Sequence, residues 1–368
     1  MTTVSEITLH LVKLPLVTPY RVSYRVYEDF DPIIVEARDT DGGIGWGEGH
    51  ISPGYSFETI EGGWAFCRAQ AGNVIGREVA EAIAGVSMHI DRSPVAASGL
   101  LNALEMLAGS PILALAEDTR VPLLTPMHVM DPDGIAAEVE ARLADGFTTL
   151  KVKVGKDVDG DLARVAATRQ AARGRASIRI DANRGYSEAD GRRFAAALDA
   201  EGIELFEQPC GADDWAANAA VAKVSAVPVM LDESIYGLAD IERAAKIEGI
   251  GFIKLKLKKL GRLDLLEAAL KRIRDLGMEP VLGDGTSAEI CCWMEACVAR
   301  LVIDNAGEMN GYLKPKARLF ADPLGFEQGA MVLKAGFVPE IDRETLTRHT
   351  VKAERISRPA AGVRAAAG

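Results

Sequence analysis

Three acidic side chains recur at the ends of successive β-rich runs: Asp181 in "RIDAN", Glu207 in "LFEQP" and Asp232 in "MLDES". A lysine cluster closes the next run, "IKLKLKK". Each follows the last by roughly one strand-plus-helix unit. On neighbouring parallel strands, acids in that register converge on one point. Three convergent carboxylates suit a hard divalent cation, most plausibly Mg²⁺, completed by waters and substrate oxygens. The competing reading makes each acid the N-cap of the following helix. Three acids in register, with lysines on both sides, favour the ion.

The lysines need an explanation of their own. In "TTLKVKVG", residues 148–155, strand alternation sends Leu150, Val152 and Val154 to one face and Lys151 and Lys153 to the other. Inside a protein, two ammonium groups side by side are costly unless anions surround them. Beyond the third acid, Lys254, Lys256 and Lys258 share one face of "FIKLKLKK". The two sets would then face each other across the acids. A neighbouring positive charge draws a lysine pKa down from about 10.4 towards the working pH, so Lys151 would tune Lys153 as a base. The alternative is a buried network in which lysines only neutralise the acids.

Such a site needs a scaffold that presents strand ends to a common centre. From Pro122 to about residue 310, β-rich runs alternate with amphipathic helical stretches: "LLTPMHV", "TTLKVKV", "SIRIDAN", "IELFEQP", "VPVMLDES", "GFIKLKLKK", "MEPVLGDG" and, less clearly, "ARLVIDN". Repeated βα units imply parallel strands with right-handed crossovers, and about eight imply a closed (β/α)₈ TIM barrel whose catalytic groups sit at the C-terminal strand ends. An open doubly wound sheet is disfavoured because no Gly-rich phosphate loop follows the first strand. Residues 1–121 differ: strand, loop and a hairpin turning at "TDGG", then Ala-rich helices. The expected division is an α+β capping domain over 1–121, the barrel over 122–320, and a C-terminal segment, 321–368, that returns to the cap. That segment holds a strand-like "GAMVLKAGFV" and a fraying tail.

The 368 residues are 48% hydrophobic, enough for such an interior. No apolar run spans a bilayer and no secretion signal opens the chain, so a cytoplasmic protein without a membrane partner is expected. A net charge of -11 with interspersed signs argues against nucleic acid. Five cysteines in no zinc or disulfide spacing read as reduced core thiols.

With "GIGWGEG" in the presumed cap and "KVK", "DAN", "EQP", "DES" and "KLK" at the strand ends, the chain resembles the enolase superfamily, and within it the muconate lactonizing enzyme subgroup. The resemblance runs through nearly the whole chain. It implies that Asp181, Glu207 and Asp232 bind Mg²⁺, that Lys153 is the acid/base on the second strand, and that Lys256 is the acid/base on the sixth. "KLKLKKLG" is similar to the family's Asn-x-Lys-x-x-Lys-x-Gly, with Lys254 standing where Asn is usual and Lys258 the next candidate to Lys256. It also implies a homo-oligomer. The expected enzyme is an isomerase, a racemase or epimerase that removes the α-proton of a small carboxylate, such as an amino-acid or proline derivative, through an enediolate. A dehydratase (lyase), a lactonizing cycloisomerase and a non-catalytic metal-binding relative are the alternatives.

Absences narrow this. None of the five histidines lies near the seventh strand end, "GDGTSAEI", so a His-Asp base of the mandelate racemase kind is lacking; His50 and His128 read as packing residues. The eighth-strand region, "VIDNAGEMNGY", lacks the Asp-x-Asp of dipeptide epimerases. Glu308 there is a substrate contact or a loop charge; Asp284 orients a lysine, binds substrate or closes a turn with Gly285; Asn183 binds substrate or only turns the chain. "DANR" and "EQPC" are similar to relatives acting on proline derivatives, with Arg184 either relevant or merely a surface residue. Two capping loops carry aromatics, Tyr20, Tyr24, Tyr27 and Phe30 in one and Tyr55 and Phe57 in the other. Of these, Tyr20 and Tyr55 are the candidates to hold a cationic substrate by cation-π contact. Trp46 reads as hairpin packing.

Overall fold

The computed structural model describes residues 2–22 and 25–357; Tyr24 and the tail from 358 lie outside them. The hairpin at "TDGG" forms as read. Ile33–Asp39 pairs antiparallel with Ile44–Gly49, and Asp39 closes the turn by accepting the N–H groups of Asp41 at 2.9 Å and Gly43 at 2.7 Å. Between them Gly42 takes φ +91°, open to glycine at no steric cost. The glycines of "IGWGEG" have another purpose. Helix Pro94–Leu107 lies directly against this strand, and a Cβ on Gly45 or Gly47 would sit 2.0 Å from the carbonyl oxygen of Ala103 or Gly99. Trp46 is buried as hairpin packing, with the Arg343 guanidinium 4.5 Å above its ring.

Strand Val4–Val12 completes this sheet, lying between Ile33–Asp39 and Thr350–Ser357. The cap is therefore made from both ends of the chain. Of the C-terminal segment only Thr350–Ser357, which composition did not reveal, enters that sheet. The strand in "GAMVLKAGFV", Ala330–Leu333, pairs instead with Thr119–Pro122 and Gly325–Glu327.

Seven parallel strands form the barrel, in sequence order from Thr125–Pro126 through Thr149–Lys153, Ser177–Asp181, Ile203–Glu207, Val229–Leu231 and Ile250–Leu255 to Glu279–Leu282. The first is short and ends at Pro126, which has no N–H to donate to a ladder. An eighth position closes the ring. Glu308 N–H donates to the Leu282 carbonyl on one side, and Gly307 exchanges bonds with Pro122 and Leu124 on the other. This corrects the reading of "ARLVIDN": its first residues end helix Glu289–Val302, and the closing segment lies a few residues later. The helix carries its apolar stripe into that run, so composition alone pointed to a strand.

The helices that follow the acidic strand ends have caps of their own. Ser187 caps Glu188–Ala197, Asp214 caps Trp215–Val224, and Gly237 precedes Leu238–Ala244, where Asp240 accepts the Tyr236 and Gly237 N–H groups. Asp181, Glu207 and Asp232 are not helix caps.

Candidate active site

Parallel register sets the acids side by side. Asp181 is level with Lys153 on one neighbouring strand and with Glu207 on the other, and Asp232 lies one residue beyond Val229–Leu231. All three are buried. The backbone just past two of these strand ends is left-handed at Asn183 (φ 41°), Arg184 (φ 68°) and Gln208 (φ 37°), non-glycine residues in a conformation that costs energy unless neighbours enforce it. Neighbours do so at Asn183: its N–H donates to Asp181 Oδ1 at 2.8 Å, its Oδ1 accepts from Lys153 Nζ at 2.6 Å, and its Nδ2 donates to Glu233 Oε1 at 3.2 Å. Asn183 thus both turns the chain and reaches into the site.

Lys151 and Lys153 do point inward, among anions. Lys151 Nζ lies 2.9 Å from Asp181 Oδ2, 2.8 Å from Glu207 Oε2 and 2.7 Å from Glu308 Oε2. Lys153 Nζ shares Asp181 Oδ2 at 2.5 Å. Across the ring, Lys256 Nζ meets Asp232 Oδ2 at 2.8 Å and the Tyr55 hydroxyl at 2.7 Å. Strands two and six of an eight-position ring are diametrically placed, and both lysines line one cavity of about 30 Å³, room for little more than a water.

The sixth-strand lysines do not stay on one face, however. The strand ends at Leu255, and a helical turn, Leu257–Leu260, begins after Lys256. Lys254 therefore pairs with Glu207 and Glu308, whereas Lys258 swings to Asp284 Oδ2 at 2.5 Å. Asp284 also accepts from Thr286 N–H and Oγ1, so it makes a turn and fixes Lys258 rather than Lys256. Glu308 is no loop charge: it is buried between Lys151 and Lys254.

The charges are set by this pairing. Burial alone would raise the acids, but Lys151, Lys153 and Lys254 bring Asp181 down to about 2. Asp232 and Glu308 are likewise held well below the usual carboxylate range, against the effect of burial, by Lys256 and Lys259 and by Lys151 and Lys254. Glu207 goes the other way, raised by burial and by Asp181. Burial works to lower Lys256, yet Asp232, Asp284 and Glu233 outweigh it and raise its pKa. Lys151 is raised in the same manner by Asp181, Glu207 and Glu308. Lys151 and Lys256 thus hold their protons as counter-ions of the buried acids.

The donor chemistry is nonetheless that of a hard-cation site. Glu207 Oε2 is fully enclosed and accepts no hydrogen bond, although Lys151 Nζ is near. As the side chains stand, no three His, Cys, Asp or Glu groups among the described residues surround one metal position.

Comparison with known proteins decides the family. The family described as enolase C-terminal domain-like matches residues 134–344. The chain belongs to the enolase superfamily. Similar curated proteins include an aromatic dipeptide epimerase of Herpetosiphon aurantiacus, 31% identical over 75% of this chain and 81% of that protein, and an L-Lys-D/L-Arg epimerase of Methylococcus capsulatus, 28% identical over 94% and 96%. Among solved structures, an N-succinyl Arg/Lys racemase from Bacillus cereus superposes with TM-score 0.86 at 23% identity, covering 96% of this chain and all of that one. A dipeptide epimerase from Cytophaga hutchinsonii, complexed with Mg and the dipeptide D-Ala-L-Val, gives TM-score 0.86 at 22% identity over 96% and 99%. This is an enolase-superfamily enzyme of the muconate lactonizing subgroup, with a TIM-like barrel and a capping domain.

Against that background, three residues escaped the sequence reading. Lys259 donates to Asp232 Oδ1 at 2.8 Å; it is hidden in a lysine run whose strand-to-helix switch composition does not mark. Glu233 is buried beside Asp232 with Oε2 unpartnered, and burial and Asp232 raise it to about 7; its place next to a candidate ligand was the available signal. Lys314 had none, lying beyond the barrel pattern. Several sequence-predicted contacts also resolve. Tyr55 donates to Asp232 Oδ1 at 3.0 Å, but its ring face is covered by Lys256 at 4.0 Å, and the Tyr20 face by Lys314 at 4.6 Å. Each ring thus already carries a lysine of the protein's own over one face. Phe57 is exposed, while Tyr27 and Phe30 pack around His50. His50 is itself bonded to Asp31 and the Thr286 carbonyl. Arg184 is no bystander, since it donates to the Gly54 carbonyl of the Tyr55 loop at 3.0 Å. All five cysteines are buried and free.

Proposed function

We propose that this enzyme is a racemase or epimerase that removes and returns the α-proton of a small carboxylate of the amino-acid class, with Lys153 and Lys256 as opposed acid and base. The observation that carries this is their placement: ring positions two and six, one cavity, each lysine anchored to a different acid. One lysine takes the proton from one face of the substrate. The other delivers a proton to the opposite face, which inverts the centre. Lys151, fixed by three carboxylates, stays charged and keeps a positive field beside Lys153. Tyr55 closes the cavity from the capping side and excludes water.

Asp181, Glu207 and Asp232 are the residues that would hold Mg²⁺, consistent with three buried oxygen donors at successive strand ends. Bound there, the ion would supply positive charge against the charge that develops on the substrate carboxylate. The names of the curated relatives, amino-acid and dipeptide epimerases and racemases, support the α-carbon as the reacting centre. The missing Asp-x-Asp in the eighth segment speaks against a dipeptide amine as the recognised group.

Incubation of Mg²⁺-loaded enzyme with amino-acid-derived carboxylates in D₂O tests the reading. Deuterium at the α-carbon with inversion and an intact skeleton is the expected result. Loss of water would reassign the second step to β-elimination, and no exchange with any carboxylate would defeat the scheme.

A further inference from the structure

Lys153 ends strand Thr149–Lys153, and the chain leaves it through a loop that one buried side chain holds. Asp161 Oδ2 accepts the N–H groups of three residues in a row, Gly155, Lys156 and Asp157, at 2.8, 3.0 and 3.2 Å. The Tyr186 hydroxyl donates to the same oxygen at 2.7 Å. The other oxygen, Oδ1, accepts Arg164 Nη2 at 2.5 Å, and Arg164 Nη1 turns back to donate to the carbonyl of Lys153 itself. Asp161 is 1% exposed, and Tyr186 is buried as well. A carboxylate enclosed in this way, with its donors all engaged, rigidifies the backbone it binds.

The helix does not need this network for itself. Val158–Ala172, which carries Asp161 and Arg164, has its own N-cap in Asp157, whose side chain accepts the Gly160 N–H at 3.0 Å. Asp161 serves the loop instead, and its ion pair with Arg164 passes the constraint on to the residue that bears the ammonium group. Tyr186 brings in the next strand end, since it belongs to the loop that follows Ser177–Asp181. The two loops touch: a Cβ on Gly155 would sit 2.7 Å from Ala182 O, and one on Gly185 2.5 Å from Gly155 O. Lys153 and Asp181, level in register and paired through their side chains, are thus fixed a second time from behind. Among the described residues, Asp161, Arg164 and Tyr186 make no such bond to strand Ile250–Leu255 or to the turn after it, between which Lys256 lies.

We infer that Asp161, Arg164 and Tyr186 are positioning residues for Lys153, and that they act on this one of the two opposed lysines alone. The inference rests on the proposed function, which makes Lys153 and Lys256 the acid and base on opposite faces of the substrate. An ammonium group on a flexible stem is only as well aimed as the backbone that carries it. A misplacement of about 1 Å costs about a hundredfold in rate. Loosening the clamp therefore slows proton transfer on one face of the substrate and spares the other.

The test follows the initial rate of α-proton exchange into D₂O by NMR with Mg²⁺-loaded enzyme, starting separately from the L and D forms of one amino-acid carboxylate, proline and N-acetyl amino acids being among those tried. Lys153→Ala identifies the enantiomer that gives its proton to Lys153. Arg164→Met should slow exchange of that enantiomer by about tenfold or more, and of its mirror image by less than about twofold. Tyr186→Phe, which takes a single hydrogen bond from the clamp and guards against misfolding, should shift the ratio several-fold in the same direction. Arg164→Lys, which keeps a donor for the Lys153 carbonyl, should restore part of the lost rate. Equal slowing of both enantiomers, the mark of a merely structural role, overturns this inference alone, and so does a ratio unchanged in both Arg164→Met and Tyr186→Phe. If wild type exchanges neither enantiomer of any acid, or Lys153→Ala spares or silences both, the proposed function falls and this inference with it.

Discussion

The buried carboxylates fall into two groups that behave oppositely. At the barrel mouth Asp181, Asp232, Asp284 and Glu308 face lysine ammonium groups, and all are held below their ordinary range. Away from the mouth, Glu48, Glu58, Glu105, Glu289 and Glu295 face backbone N–H groups, two of them, Glu48 and Glu105, across the seam between cap and barrel, and burial pushes all five up. Glu48 accepts Ala288 and Cys291 N–H at the start of helix Glu289–Val302, and Glu105 accepts Leu263 N–H at the start of Leu263–Asp275. Both acids belong to the cap and both helices to the barrel. The seam is stapled by carboxylates at helix N-termini, where the helix dipole favours them. Peptide dipoles fix an acid in place without cancelling its charge; ammonium groups cancel the charge and can exchange it for another cation. Glu207 and Glu233 are raised although they lie at the mouth, both by burial and by neighbouring aspartates.

The comparison predicts that damage at the two regions separates activity from stability. Lys153→Ala and Lys256→Ala should each lower turnover at least about a hundredfold, the usual scale of general acid–base catalysis. Both should fold normally, because Asp181 keeps Lys151 and Asp232 keeps Lys259 as counter-ions. Steady-state kinetics alongside thermal denaturation checks this. Unchanged rates in both variants would end the two-lysine scheme.

A smaller effect, in stability alone, is expected at the seam. Glu48→Ala strands two buried N–H groups, each costing about 1–3 kcal/mol. A total of about 3 kcal/mol lowers Tm by roughly 4 °C in a chain of this size. Calorimetry on this variant should show that loss while kcat at a permissive temperature stays near wild type. A collapse of kcat with Tm unmoved would mean that the seam positions the chemistry directly.

Much of the mouth was legible in sequence because a βα barrel converts spacing into proximity. Once Asp181, Glu207 and Asp232 sit at the ends of adjacent strands, register does the rest. What stayed hidden broke that periodicity. Lys258 and Lys259 leave the strand in a helical turn, so alternation misplaces the first and overlooks the second. The eighth position is filled by Gly307 and Glu308 without a regular strand, which let the helical "ARLV" stand in for it. Lys314 and Glu48 act across the domain boundary, between residues hundreds of positions apart in the latter case. No local pattern encodes such a pair. The aromatic loops misled for a related reason: tyrosine faces that look free in sequence are covered by the protein's own lysines.

The finest separation of the two regions is by pH. Glu105 rises to about 7 and Glu295 to about 8 in the folded protein, burial being the main cause, against about 4.5 when unfolded. A carboxyl whose folded pKa is raised binds more protons folded than unfolded between those values, so its contribution is fully present below about pH 4.5 and is lost as pH climbs through 7 to 8. Asp181, lowered to about 2 by lysines that overcome burial, has the reverse sign: its contribution is present above the unfolded carboxylate value and is lost as pH falls towards 2. Stability should therefore decline modestly from about pH 5 to pH 8, and more steeply below pH 4. Denaturant melts across that range, repeated on Glu295→Gln, check the first limb. The variant carries no ionisable group at position 295, so its decline should be shallower than that of the wild type. An identical slope would show that Glu295 titrates normally, and the contrast between dipole-held and ammonium-held carboxylates would lose its physical basis.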